Sequence, residues 1–502
     1  MKNKTSKLIY KLKENKWLHY IIIITIGIIL SIPLTKIQIR DTHDGFLHLL
    51  RLIGTIDIIK IGQIPPIVVP NYCNGAGYAM NLFYPPFVTY LPLIIKLFVP
   101  TYSIALKVFG AFAIILSGCT MYNFAYQVTK KRSIALFCSI FYLIAPYKLA
   151  NIYKRFAIGE FTAAIFMPLV FLGLYNLFEQ DGDKHYYISI GAIGLMLSHT
   201  VTTLYTALFC TIYVIFNFKK LKGREVLKKC IVNIVFILLV SMIFWLPLLE
   251  ASRSAEYAIM DDSIMRTNGD YASANAISFY QLFKDKGEGN GSTFLLGIPT
   301  IFVIFLTIFA IRKVEINYKS FYLLNLTFSL ISLLMTSRVF PWRIMPDIIC
   351  KLQYPWRMLG YFNFFISFVC GVNLYITIKS LIKKDIIKII TIIIFIIISI
   401  TSSIKIESQF FTKDENIDAK YEQYIQGNKK ISHKAVNRDY MPVRALYLQD
   451  TYVMEREDTT YILSEKAQIN DEIKVDLNDE MKIKNAEERN RIRISILLLS
   501  RL

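Results

Sequence analysis

A polytopic, all-α membrane fold is what this sequence predicts, and three observations predict it. The first is composition: 54% of the 502 residues are hydrophobic, an apolar surface too large for an ordinary water-soluble enzyme. The second is the length of the apolar runs, such as 20–30 and 386–400, which approach the ~20 residues a helix needs to cross a bilayer. The third is charge placement. The chain carries 57 Lys+Arg against 37 Asp+Glu, a net charge of +20, and the basic residues flank apolar runs, which is how a membrane protein sets its orientation. These clusters therefore do not call for a nucleic-acid partner.

Taken in order, the runs give about eleven crossings, at 17–35, 103–127, 133–149, 161–178, 186–200, 201–217, 230–249, 293–311, 320–336, 358–378 and 386–404. Six lysines between Lys2 and Lys16 precede the first. That run is too long for a signal peptide and no small-residue cleavage site follows it, so it reads as an uncleaved first helix. The 86–99 stretch is short and rich in proline (Pro86, Pro92) and is assigned to the interface or to a re-entrant turn. With a cytoplasmic N-terminus, the inside loops then collect about 23 basic against about 7 acidic residues, as the positive-inside rule expects. The resulting organisation is a transmembrane domain over 1–404 with an external loop at 36–102. An extracytoplasmic C-terminal segment follows at 405–502, with a small β-rich appendage suggested by alternation at 461–463 and 473–477. The final apolar run, with no obvious partner, raises a truncated end. Five of the seven cysteines fall in apolar runs as packing residues; only Cys73 and Cys350 lie in loops.

The polar chemistry then collects on the external side. After the first helix, Asp41, Asp44, His48 and Arg51 are spaced i, i+3, i+7, i+10, so a helix there places them on one stripe. The wet face of an interfacial helix explains this spacing, and so does a base-assisted transfer to a hydroxyl. An acidic pair equally suits a divalent cation. Arg155 and Glu160 stand at the mouth of the fourth crossing, either tying two helix ends together or binding substrate. His199, in a tight break between two crossings, is a helix-end histidine or a site residue. Trp342 beside Arg343 and Trp356 beside Arg357 read as aromatic-belt anchors or as clamps pairing an arginine for phosphate with a ring for an isoprenoid or sugar face. The Gly- and Asn-rich 71–81 stretch reads as a shaped cavity wall. No nucleotide-binding glycine loop and no HExxH zinc motif is present.

Several stretches carry a family resemblance: 44–51 (DGFLHLLR), 62–66 (GQIPP), 75–78 (GAGY), 83–86 (FYPP), 155–160 (RFAIGE), 198–200 (SHT), 246–250 (LPLLE) and 353–357 (QYPWR). In this order they resemble a bacterial polytopic family labelled 6-pyruvoyl-tetrahydropterin synthase-related, YfhO-like, which is similar to GT-C glycosyltransferases that use lipid-linked sugars. The six histidines are scattered, so the zinc site of a pterin synthase is not expected.

The resemblance implies a catalytic carboxylate just after the first helix. Asp44 fits best, Asp41 is the second candidate, and His48 assists. Arg51, Arg155, Glu160, His199, Trp356 and Arg357 are the implied substrate-binding residues. The implied partners are a polyprenyl-phosphate sugar as donor and an envelope polymer or protein as acceptor. Two other function classes fit the same sequence: a transporter or flippase of a lipid-linked envelope precursor, and a non-catalytic scaffold for envelope assembly. Convergence of Asp44, Arg155, Glu160 and Arg357 on one external cavity with a lateral opening favours the enzyme, and their wide separation counts against it.

Overall fold

The computed structural model describes residues 15–407 except 71, 73–76, 181, 222, 262–266 and 284–293; beyond 407 it describes 418, 422, 440 and four short strands. The described chain is mostly helical. Six helices are long and apolar enough to cross a membrane: Lys16–Lys36, Tyr102–Thr129, Ile158–Glu179, Arg224–Ser254, Ile316–Thr336 and Pro355–Leu381. A seventh crossing is available if the pair Arg132–Leu143 and Pro146–Tyr153, bent by 46°, forms one broken span.

Three of the other expected crossings take shorter forms. Tyr187–Met196 and Thr200–Phe216 are helices of 10 and 17 residues, and the 293–311 run divides into Ile298–Phe305 and Thr307–Ala310. The last helix, Asp385–Glu407, has 23 residues. Phe87–Lys96, in the proline-rich stretch, reaches only 10. In the C-terminal segment Met454–Glu457 pairs antiparallel with Thr460–Leu463, and Gln468–Ile469 with Ile473–Lys474. The rest of the expected appendage lies outside the described residues, as does Cys73. Cys350 is a buried free thiol.

The chain divides into two units, each drawn from three separated segments. The first comprises Met1–Gly45, Leu106–Val240 and Asn268–Glu415; the second comprises Phe46–Ala105, Ser241–Thr267 and Asn416–Leu502. In the first unit, Leu359–Leu381 runs through the centre, packed against Arg132–Leu143 and Ile316–Thr336. Its core is a lattice of phenylalanine rings, with Phe365 at 5.1–5.2 Å from Phe171, Phe209 and Phe328. Tilted and edge-on rings of this kind fill space densely where lipid supplies no hydrophobic driving force between helices.

The broken span follows from Pro146, which opens the second half at a position that needs no amide donor. The break leaves the Ile144 carbonyl free of the helix, and Ser403 Oγ donates to it at 2.8 Å. Buried non-helical backbone is tolerated at such a point only because a partner satisfies it.

The helix Gly45–Lys60, which belongs to the second unit from Phe46 onward, has a buried Arg51. Arg51 Nε donates to Asn81 Oδ1 at 2.9 Å, Nη2 donates to the Pro85 carbonyl at 3.0 Å, and the guanidinium lies 4.3 Å from the Tyr84 ring.

Gly371 tests the packing of the central helix. A Cβ built there would stand 2.6 Å from the Cys138 backbone nitrogen, so only glycine allows the approach of Leu359–Leu381 to Arg132–Leu143. Gly371→Val is expected to destabilise the detergent-solubilised protein by about 1–3 kcal/mol, read as a lower thermal-unfolding midpoint, with Gly223→Ala, at an uncrowded position, as the control.

Candidate active site

The site is assembled in the first unit by the Pro146–Tyr153 helix, the turn that follows it, the start of Ile158–Glu179, and the 352–357 segment. Tyr147 and Asn151 are one helical turn apart and share a face. The turn after them is tight: Phe156 adopts φ +49°, and the Ala157 amide donates back to the Asn151 carbonyl at 2.8 Å. That reversal brings Arg155 and Glu160 onto the face holding Tyr147 and Asn151. At Gly159 a Cβ would lie 2.6 Å from the His199 ring, so the glycine admits the histidine beside the carboxylate.

Glu160 is the hub. Its Oε1 accepts from Arg155 Nη1 at 3.0 Å and Nη2 at 3.1 Å, and stands 3.3 Å from Arg357 Nε. Its Oε2 accepts from Tyr147 Oη at 2.8 Å and Asn151 Nδ2 at 3.0 Å. Arg155 Nη1 also donates to Asn151 Oδ1 at 2.6 Å, and its guanidinium lies 4.6 Å from the Trp356 ring. Trp356 in turn stacks on Tyr354 at 5.1 Å. Arg357 Nη1 donates to the Leu352 carbonyl at 2.9 Å. Burial works against the charged form of Arg155, but Glu160, with Tyr147 and Asp44, outweighs it and holds the guanidinium more firmly protonated than usual.

Asp44 joins this cluster through the main chain. Its amide donates to the Arg155 carbonyl at 2.8 Å and the His43 amide to the Lys154 carbonyl at 3.2 Å, which leaves the Asp44 carboxylate 4.0 Å from Arg155 Nη2. These bonds also correct the expected stripe. The helix begins at Gly45, whose amide donates to Thr42 Oγ1 at 3.1 Å, so Asp41 and Asp44 precede it and do not share its face with His48 and Arg51. Asp41 ends a 3₁₀ turn and is exposed. His48 and Arg51 serve the second unit, where His48 meets Tyr84 edge-on at 5.2 Å. The Asp44 side chain is 38% accessible, against 10% for Glu160 and 17% for Arg357. Despite that opening, the surrounding protein desolvates Asp44 enough to raise its pKa above the ordinary carboxylate value, with Glu160 adding to the rise while Arg155 and Arg357 oppose it.

Behind the cluster lies a cavity of about 550 Å³ including its open mouth. Glu160, Arg357 and His199 line it, with Tyr147, Tyr205 and Tyr361 as walls; Asp44, Arg155 and Trp356 are not among the lining residues. His199 caps Thr200–Phe216: its Nδ1 accepts from the Thr202 amide at 3.2 Å, which leaves Nε2 to carry the proton of the neutral ring. Among the described residues no three His, Cys, Asp or Glu side chains group closely enough to hold a metal ion. Tyr147, Lys148 and Asn363 are lining residues that the sequence reading passed over. A lysine inside an apolar run was the available signal for one of them.

Glu160 carries the sharpest structural test. Removing its charge leaves two guanidiniums buried without their shared partner, a loss of about 3–5 kcal/mol for a broken buried pair. Glu160→Gln is therefore expected to lower the unfolding midpoint far more than Asp44→Asn does, by thermal denaturation in detergent.

Comparison with known proteins places this architecture. A protein of Lactococcus lactis subsp. cremoris (strain MG1363) with no assigned function is 28% identical over 351 residues, 66% of this chain and 55% of the relative; the chain thus spans about half that relative's length. Among solved structures, the arabinofuranosyltransferase AftD from Mycobacteria superposes with a TM-score of 0.53 at 13% identity, covering 78% of this chain and 27% of AftD. The archaeal oligosaccharyltransferase AglB from Archaeoglobus fulgidus gives 0.47 at 12% identity, over 85% of this chain and 61% of AglB. The fold is thus shared with part of AftD. The family model described as 6-pyruvoyl-tetrahydropterin synthase related domain, a membrane protein, matches residues 82–408, well over half of the sequence, and the chain belongs to that family of membrane proteins.

Proposed function

We propose that this multi-pass protein is a membrane glycosyltransferase that moves a sugar from a polyprenyl-phosphate donor to an extracytoplasmic envelope acceptor. The observation that carries the reading is the convergence of Asp44, Arg155, Glu160 and Arg357 in one cluster beside a cavity lined by aromatic rings. The fold shared with part of an arabinofuranosyltransferase supports it. In this reading the 1–404 domain crosses the membrane eleven times with the N-terminus cytoplasmic, and the 36–102 loop and the 405–502 segment, with its β-rich appendage, are outside.

Asp44, accessible and held by a main-chain bond, accepts the proton of the acceptor hydroxyl as that oxygen bonds to the sugar's anomeric carbon. The bond from that carbon to the phosphate oxygen breaks, and the lipid phosphate leaves with the electron pair. Arg357, which lines the cavity, stabilises the developing negative charge in a water-poor setting. Arg155, bound by Glu160, Asn151 and Trp356, is a positioning residue: it fixes the Asp44 carboxylate and keeps Glu160 ionised.

A panel of polyprenyl-phosphate sugars assayed with purified protein tests the reading. Asp44→Asn is expected to remove transfer while leaving the unfolding midpoint close to that of the parent, and near-parental transfer by this variant would overturn the assignment. The raised pKa of Asp44 adds a pH signature. The base acts ionised, so activity is lost as pH falls through a value above the ~3.9 of a free aspartate. An acid limb at or below that value contradicts Asp44 as the base. A transporter would move intact donor across the bilayer without sugar transfer, which the same donors reveal once the protein is reconstituted in liposomes.

A further inference from the structure

The cavity contains a second polar pole that the Asp44 cluster does not use. Lys148 and Asn363 both line it, at 5% and 4% exposure. Lys148 Nζ donates to Ser117 Oγ and lies 4.0 Å from the Tyr142 ring. Among the described residues no carboxylate pairs with it, and Glu160, the one acid lining the cavity, is already bracketed by two guanidiniums. Asn363 Nδ2 is buried without a hydrogen-bond partner. His199 adds a third donor, since its Nδ1 accepts from the Thr202 amide and the proton stays on Nε2. Tyr361 Oη, by contrast, is committed to the Thr202 carbonyl.

Lys148 thus lacks an acidic counterpart among the described residues, because the one acid lining the cavity is held by Arg155 and Arg357. A lysine in an apolar crossing is costly and is retained where it serves a ligand path, and an unsatisfied buried amide costs about 1–3 kcal/mol until an acceptor reaches it. We propose that Lys148 and Asn363, with His199, form an oxyanion-binding site in the cavity, taking a phosphate or carboxylate group of the substrate. A neutral sugar hydroxyl satisfies the amide alone, whereas an oxyanion also pairs with the lysine in its protonated form. The proposal rests on the glycosyltransferase reading only for the word substrate. The site is defined by binding alone, and two sources carry the required group: the phosphate of a lipid donor, or the carboxylate of an acidic sugar.

Thermal unfolding of the full chain in detergent tests it, because a ligand that binds the folded state raises the midpoint. Farnesyl phosphate is set against farnesol, and glucuronate against glucose. A shift with farnesyl phosphate and none with farnesol supports the site and assigns the lipid phosphate; a shift with glucuronate and none with glucose supports it and assigns the sugar carboxylate. If neither anion raises the midpoint, or each neutral partner matches its anion, the proposal fails. Lys148→Met preserves volume while removing the charge. It is expected to raise the midpoint of the unliganded protein and abolish the anion-dependent shift, and a retained shift overturns the assignment. Asn363→Leu, if Lys148→Met does not fold, is expected to weaken the anion about tenfold through the lost charge-assisted bond; unchanged affinity counts against the site. Asp44→Asn separates the two readings: it is expected to bind the anion normally while transferring no sugar, so that failure of the Asp44 role and failure of the oxyanion site are read independently.

Discussion

A single buried carboxylate holds the first unit's polar centre together. Glu160 accepts from Arg155, Tyr147 and Asn151 and pairs with Arg357, so one side chain ties the Pro146–Tyr153 helix and the turn after it to its own helix and to the 352–357 segment. Two charges of one sign shared around one of the other are tolerable inside a protein only when hydrogen bonds complete the lone pairs, and both Glu160 oxygens are filled. The arrangement fixes positions more than it adds stability. Arg155 is aimed at Asp44 because three other groups define where its guanidinium lies.

That rigidity separates the roles of residues with similar chemistry. Arg155 is spent on neighbours and on the face of Trp356, whereas Arg357 lines the open cavity. Of the two acids, Glu160 is enclosed by donors and Asp44 is the one with substantial access to solvent. The tyrosines have a parallel division: Tyr147 serves Glu160, and Tyr361 serves the Thr202 backbone. Among the described lining residues, the buried side-chain atoms without a hydrogen bond, Asn363 Nδ2 and Arg357 Nε, are both donors.

Much of this was legible in the sequence, for physical reasons that also mark where legibility stops. Long apolar runs announce membrane helices because a helix satisfies its own backbone in lipid, and Arg155, Glu160, His199 and Arg357 stood out because charge and imidazole are conspicuous at the ends of such runs. The stripe through Asp41, Asp44, His48 and Arg51 failed at its first half because spacing arithmetic presumes a helix. The Asp44 amide is instead taken by the Arg155 carbonyl, a partner more than a hundred residues away in the chain. The 293–311 run looked continuous, yet divides at Leu306. Lys148 and Asn363 were hidden for the opposite reason: their helices are buried nearly all round, so periodicity offers no face on which a polar residue looks out of place.

The bond from Ser403 to the Ile144 carbonyl reaches across 259 positions of sequence. The break it completes turns the half-helix carrying Tyr147, Lys148 and Asn151. A ribosome delivers the Arg132–Leu143 and Pro146–Tyr153 pair long before it delivers Ser403, so during insertion this carbonyl must be hydrated or borrow another donor. The helix Asp385–Glu407 thus supplies the donor that completes the break, and the half-helix bearing Tyr147, Lys148 and Asn151 depends on a residue encoded far downstream of it.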